Sequence, residues 1–357
     1  MEFIDLGAQY DTIKDKVNKR IQTVLDHRKF ILGPEVEEFE KEMSKFLGVK
    51  HAIGVANGTD GLMICLKALD IRPGDQVIVP AFSFFATSEV VSMLGAEPVF
   101  CDVDPDTYNL DPKALEKIIT PKIKAIMPVS LYGQCADFDW INQIASKYKI
   151  PVIEDAAQSF GAIYKGKRSG NLTALAATSF FPAKPLGCYG DGGACFTNDD
   201  KLAERIKQLR FHGQVGRYNH VLVGHNSRLD TLQAAILTEK LAIFPKEMEL
   251  RQKVADAYNA GLKGKVKTPK VESFNKSVWA QYTIEVNDRD AFAKKMQDKG
   301  VPTAVHYPKP LHLQPVYEGQ YSNQKFPVSE AICQKVISLP MHPYMSEKDL
   351  KTVIGAV

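Results

Sequence analysis

A chain of 357 residues is long enough for two domains, and 45% hydrophobic against 24% charged residues predicts a packed core and excludes a disordered chain. The net charge is only +3, from 45 basic and 42 acidic residues with no basic block, which argues against nucleic acid or an anionic membrane as partner. Six cysteines in apolar or glycine-rich settings, no C-x-x-C pair, an acidic N-terminus with no apolar run and no window of membrane-spanning length predict a reduced, cytoplasmic protein without a signal peptide.

Ile13, Val17, Ile21 and Val24 recur at helical spacing and predict a helix over 9–27. Gly33-Pro34 opens a second helix with Val36, Phe39, Met43 and Phe46 on one face, and Gly48 ends it. From residue 51 the pattern changes. Seven short apolar runs, at 51–56, 76–80, 98–101, 125–129, 151–153, 176–181 and 194–197, alternate with helical stretches. This is the pattern of an α/β layer fold with a mostly parallel seven-stranded sheet. Ser83 is placed to cap a helix running to Gly95, Asp111-Pro112 opens another, and helices follow near 138–148 and 200–212.

Beyond residue 229 the chain reads as long-helical, with Pro245 interrupting one helix and a second covering 246–262. A strand over 278–286, a helix over 288–299, an extended piece at 302–306 and helices at 328–337 and 346–356 complete the chain. We divide it into a large domain, 1–249, with the N-terminal helices, and a smaller α+β domain, 250–357.

Ligands of parallel α/β sheets sit at the carboxyl ends of strands. Four groups of residues fall there. Asn57-Gly58-Thr59 precedes a helix; small residues and free N–H groups at such a turn suit an anion, although an ordinary strand–helix turn looks the same. Asp155 could bind a metal, orient a base, pair with a ring nitrogen or simply cap a helix. Alternating side-chain directions leave only one of Glu154 and Asp155 facing a ligand, so no metal site is expected. Phe84 could stack on a planar ligand or pack in the core. Ser179 leads into Phe180-Phe181-Pro182-Ala183-Lys184, with a glycine-rich run behind it. A lysine against apolar walls has a lowered pKa and suits Schiff-base chemistry, or it snorkels from a strand end. Together, an anion cradle, an aromatic plate, a carboxylate and a Schiff-base lysine are the parts that pyridoxal 5'-phosphate requires.

Asn57-Gly58-Thr59, Pro80 through Thr87, Glu154 through Gln158, Ser179 through Lys184 with Gly190 through Gly193, and Gly224 through Leu229 lie in one order over nearly the whole chain. In that order they resemble the DegT/DnrJ/EryC1/StrS family of nucleotide-sugar aminotransferases. The resemblance implies pyridoxal-phosphate fold type I, the aspartate-aminotransferase fold. It implies that Lys184 carries the cofactor and shuttles protons and that Asp155 pairs with the ring nitrogen. Gln158 is then near the ring hydroxyl, Phe84 stacks on the ring, and Gly58, Thr59 and Ser179 hold the phosphate. It implies further that Asn226 reaches the phosphate of a neighbouring subunit's cofactor, so that a homodimer is the active unit. Ala183 departs from the Ser or Thr that many relatives carry before the lysine.

Leu131 through Asp137, Asn226 through Leu232 and Pro302 through Pro308 resemble one branch. That branch aminates a 3-keto UDP-2-acetamido-glucuronate with L-glutamate as donor, for bacterial surface polysaccharide. The branch implies that Arg228 meets the sugar carboxylate and that His306 and Tyr307 line the substrate pocket. A structural ion pair for Arg228 and a packed strand end for His306 and Tyr307 are the competing readings. The rivals for the whole chain are a dehydratase of the same fold, whose branch replaces the lysine by histidine so that Lys184 speaks against it, an aminotransferase acting on 3- or 4-keto dTDP- or UDP-6-deoxysugars, and a non-enzymatic regulator. The regulator would need a DNA-binding module that the sequence does not offer.

Overall fold

A computed structural model describes all 357 residues. The chain opens with α1 (Leu6–His27) and α2 (Pro34–Leu47), whose apolar stripes face inward as their spacing requires. Asp5 caps α1, and Gly48, at φ 73°, ends α2 in the left-handed conformation that a Cβ would oppose. Then β1 (His51–Val55), α3 (Gly58–Ala68), β2 (Gln76–Pro80), α4 (Ala86–Met93), β3 (Glu97–Cys101), α5 (Pro112–Leu115), β4 (Ile123–Ile126), α6 (Phe138–Tyr148) and β5 (Ile153–Asp155) alternate. Two short strands, β6 (Ile163–Tyr164) and β7 (Lys167–Arg168), precede β8 (Leu175–Ser179), β9 (Gly193–Thr197) and α7 (Asp200–Leu209).

The seven apolar runs of the sequence all become strands, but in two ladders, β3-β2-β4 and β1-β9-β8-β5. Isolated parallel bridges Ile126↔Val152 and Val129↔Asp155 span the seam between them. The pairings β2·β3, β2·β4 and β5·β8 are parallel, whereas β9 runs antiparallel to both β1 and β8. Helices cover both faces. The core under α3, α4 and α7 includes Ile64, Leu66, Val77, Val79 and Ile206; the core under α2 and the helix that follows α7 includes Phe39, Met43, Phe180, Phe196 and Phe244. Burial of strands on both faces explains why they read as continuous apolar runs.

Pro245 does not interrupt the chain as its sequence suggests. Helix α8 (Thr231–Leu262) passes through it unbroken. A mid-helix proline costs about 3 kcal/mol. Leu237, Leu241 and Phe244 are buried beside it in the same core as α2, and that packing holds the helix together. The boundary drawn at residue 249 therefore falls inside a continuous helix. The C-terminal half of α8 packs with β11 (Tyr282–Glu285), α9 (Arg289–Asp298), β12 (Val336–Leu339) and α11 (Glu347–Ala356) around Tyr258, Tyr282, Met296 and Leu339. Strand β10 (Asn275–Lys276) pairs with β6, and residues 311–326 return to the large layer, where Leu311, Tyr317, Tyr321 and Phe326 join its core. Helix α10 (Pro327–Ile332) is shorter than the predicted 328–337 because Val336–Leu339 forms a fully buried strand against β11. A short apolar run does not itself tell a buried strand from a helix end.

Candidate active site

The carboxyl ends of β5 and β8 lie side by side, with Asp155 in register with Ala177 two residues before Ser179. A cavity of about 480 Å³ opens there. Its walls bring together Gly58, Thr59, Phe84, Asp155, Gln158, Ser179, Lys184, His306 and Tyr307, nine of the eleven residues singled out in the sequence.

The anion end is built by α3. Asn57 caps the helix, its Oδ1 accepting from Asp60 N at 2.8 Å. The Gly58 and Thr59 N–H groups of the first turn are left without an intrahelical acceptor, at the positive end of the helix dipole. A Cβ on Gly58 would lie 2.7 Å from the Ser179 Cβ, so glycine is what lets the helix start approach the end of β8. The Thr59 and Ser179 hydroxyls frame the same corner of the cavity. Such a corner suits an anion such as a phosphate.

The same cavity holds the titratable groups. Burial pushes the Lys184 amine below the ordinary lysine range, partly countered by the charge of Asp155. A lysine so placed is readily neutral and nucleophilic. Burial pushes the Asp155 carboxyl up, while its Oδ1 accepts from Ala157 N at 3.1 Å, its Oδ2 accepts from the Thr87 hydroxyl at 2.9 Å, and Lys184 lends a positive charge. Asp155 does not cap a helix. Glu154 points the other way, accepting from Ser130 Oγ at 2.8 Å, Ser169 Oγ at 2.7 Å and Gly170 N at 2.7 Å. One carboxylate therefore faces the cavity, as the alternation along β5 demands.

Phe84 is 53% exposed at the cavity, its ring 5.9 Å from that of Tyr307; it is a plate with an open face and not a core residue. Ser83, expected as a helix cap, instead places its hydroxyl 3.2 Å from that of Thr87, and α4 begins at Ala86 without a side-chain cap. Gln158 is held at both ends: Oε1 accepts from Tyr132 N at 2.9 Å and Nε2 donates to Tyr307 Oη at 3.0 Å. Burial holds the Tyr307 phenol above its ordinary range and pushes His306 down to about 4, with Lys184 adding to the latter.

Asn226 and Arg228 stand outside this cavity. Asn226 is exposed, Arg228 donates to its side-chain oxygen, and the Arg228 guanidinium lies 4.9 Å from the Phe211 ring centre. They sit beside a segment that exposes Tyr218, Val221 and Val223. The sequence reading missed Phe3, Ile4 and Gln281, which also line the cavity. No motif marks them. Phe3 arrives because its carbonyl accepts from Met341 N at 3.3 Å, a contact between the two ends of the chain.

An amine, an acid turned to one wall, a flat aromatic face and a phosphate cradle in one cavity fit a planar phosphorylated aldehyde cofactor. Comparison with known proteins agrees. Residues 11–357 match the model of the DegT/DnrJ/EryC1/StrS aminotransferase family. The chain is 58% identical, over 100% of its own length and 99% of the relative's, to the UDP-2-acetamido-2-deoxy-3-oxo-D-glucuronate aminotransferase of Pseudomonas aeruginosa. Among solved structures, a DegT DnrJ EryC1 StrS aminotransferase from Brucella abortus superimposes with a TM-score of 0.97 at 49% identity, covering 100% of this chain and 98% of that one. NtdA from Bacillus subtilis with bound cofactor PMP gives 0.91 at 34% identity, covering 99% and 82%.

Proposed function

The chain belongs to the DegT/DnrJ/EryC1/StrS aminotransferase family, and we propose that it moves the amino group of L-glutamate to the 3-keto carbon of UDP-2-acetamido-2-deoxy-3-oxo-glucuronate. The cofactor is pyridoxal 5'-phosphate; the products are the 3-amino sugar nucleotide and 2-oxoglutarate, the former destined for bacterial surface polysaccharide such as O-antigen. The observation that carries the chemistry is the convergence of Lys184, Asp155 and the α3 N-terminus on one cavity. The choice of sugar is supported by the extent of identity to the Pseudomonas aeruginosa protein.

When bound, the cofactor supplies a carrier for the amino group and an electron sink for the carbanion formed beside it. The side chains of this chain do the rest. Lys184 Nζ, its pKa lowered by burial, would take the proton from the donor Cα and redeliver it on the other side of the transfer. Asp155 would hold the proton on the ring nitrogen. The N–H groups of Gly58 and Thr59, with the hydroxyls of Thr59 and Ser179, hold the phosphate, and Phe84 covers one ring face. Gln158 keeps the ring hydroxyl side in place, and His306 and Tyr307 close the substrate side.

In this reading two copies of the chain form the active unit, in a cytoplasm that leaves all six cysteines free. Asn226 lies outside its own cavity, exposed beside the segment that presents Tyr218, Val221 and Val223, which suits a residue serving the phosphate of the second copy. Arg228 beside it offers a planar fork for the uronate carboxylate. The test is a panel of 3-keto and 4-keto sugars on UDP and dTDP, given to the reconstituted protein with L-glutamate. Products identified by mass and NMR should carry the amine at C3 of the uronate. Amination of uncarboxylated or 4-keto sugars alone would remove the sugar assignment and the role of Arg228 with it.

A further inference from the structure

Thr87 donates a side-chain hydrogen bond to Asp155 without itself lining the cavity. Thr87 is fully buried on the first turn of α4, behind the cavity wall formed by Ser83, Phe84 and Ala86. Its hydroxyl donates to Asp155 Oδ2 at 2.9 Å. A hydroxyl has one hydrogen, so the 3.2 Å contact with Ser83 Oγ is a bond that Ser83 donates to Thr87. The chain of donors runs Ser83 to Thr87 to Asp155. The Thr87 backbone N–H also donates to the Phe84 carbonyl at 3.3 Å. One residue thereby fixes the distance between the aromatic plate and the acid.

We propose that Thr87 is a positioning residue for this reaction, which aims the Asp155 carboxylate at the cofactor ring nitrogen and keeps it ionised in a dry site. The inference rests on the cofactor assignment above and adds to it. Asp155 receives only two hydrogen bonds, one per oxygen, from Ala157 N and Thr87 Oγ1. Each oxygen keeps a lone pair, and the carboxylate plane is set by the two donors. The Ala157 bond is local, two residues along the chain, and anchors only Oδ1; Thr87, 68 residues away on another element, anchors Oδ2. The other charged or titratable groups facing Asp155 do not replace it. Lys184 lends a positive charge without a hydrogen bond, Tyr307 is a neutral phenol directed to Gln158, and Glu154 is turned to the opposite side.

Thr87→Val keeps the shape and deletes the donor; Thr87→Ser keeps the donor and deletes the methyl group; Ser83→Ala removes the second donor in the chain. Each cofactor-free protein is titrated with pyridoxal 5'-phosphate between pH 5 and 9, and its Asp155 carboxyl is titrated by infrared difference against Asp155→Asn. A hydrogen bond to a charged group is lost in Thr87→Val, so cofactor affinity should fall about tenfold or more. Removing a donor from the ionised form raises a carboxyl pKa, so the infrared titration should move up by roughly one pH unit. Thr87→Ser should follow the parent protein in both, and Ser83→Ala should fall between. Parent-like affinity and titration in Thr87→Val would overturn the inference. So would a Thr87→Ser protein as impaired as Thr87→Val, since the methyl group and not the hydroxyl would then matter. Should the parent protein fail to take up the cofactor, the functional reading falls, and the infrared titration of the cofactor-free proteins still decides the part played by Thr87.

Discussion

Gln158 Nε2 donates to Tyr307 Oη at 3.0 Å, across 149 residues of sequence. The bond joins the end of β5 in the large layer to the segment that packs on β12, where Ala304 bridges Ser338 and His306 Nδ1 lies 3.0 Å from Ser338 Oγ. Tyr132 reinforces it, its backbone N–H on Gln158 and its hydroxyl on the His306 carbonyl. These parts of the cavity wall are thus one hydrogen-bonded unit. Tyr307→Phe removes the acceptor and leaves a Gln158 N–H unpaired. A buried unpaired donor costs about 1–3 kcal/mol of folding stability, so the melting temperature should fall by a few degrees, and kcat/KM for the sugar nucleotide should fall with it as the two walls lose their cross-link. A Tyr307→Phe enzyme with parent kinetics would show that the cross-link does not support the site.

Lys184→Ala deletes the group assigned to proton transfer. A positioned base supplies about 10²–10⁴-fold, and turnover should fall at least that far. The absorbance of the lysine-linked cofactor should vanish from the purified protein as well. Retained turnover would end the assignment of Lys184.

Asp155→Asn keeps the size of the side chain but not its charge. The ring nitrogen then lacks its anionic partner, and the half-reaction with L-glutamate, followed by stopped flow, should slow by about 10²-fold or more. Cofactor should still bind through the phosphate cradle. An unchanged half-reaction would take the role from Asp155.

Gly58→Ala tests the cradle. The added Cβ would meet Ser179 Cβ at 2.7 Å, a contact that forces the helix start away from the end of β8. We expect cofactor affinity to fall by about tenfold or more, with pyridoxal lacking the phosphate bound no worse than by the parent protein. Equal losses for both ligands would point to general damage at the site instead.

His306 gives a pH signature. Its folded pKa, about 4, lies below the ordinary 6.5 because burial and Lys184 disfavour the charged ring. The unfolded chain therefore binds the extra proton first as pH falls, and the contribution of this residue to stability is complete above pH 6.5 and is lost between 6.5 and about 4. Melting curves of the parent and His306→Gln proteins should show the variant losing less stability over that window. Parallel curves would mean that His306 is not held neutral.

The fold was legible wherever local chemistry and tertiary structure ask for the same thing. Seven apolar runs became strands, and Pro34 and Gly48 mark the ends of α2 where they occur, whereas the sequence reading missed the start of α1 after Asp5. Legibility failed where a long-range contact overrode a local rule. Pro245 breaks nothing because Leu237, Leu241 and Phe244 are held in a core formed with α2. Val336–Leu339 is a strand because β11 is there to pair with it. Ser83 caps nothing because Thr87 takes its hydroxyl.

The sequence alone determined which residue types could do the chemistry: Lys184 beside an apolar run, Asp155 at a strand end and Gly58-Thr59 at a helix start. These depend on neighbours within a few residues, whose conformational preferences are local. Only the tertiary structure decided that nine of the eleven candidates share one cavity while Asn226 and Arg228 face outward. It also decided that Thr87, Phe3 and Gln281 belong to the site or its support. Their places are set by contacts across 68 residues for Thr87 and by the meeting of the chain's two ends for Phe3. A hydroxyl or an aromatic ring carries no mark of such contacts in its own sequence neighbourhood, because a hydrogen bond or a packed face is a property of two elements brought together by the fold.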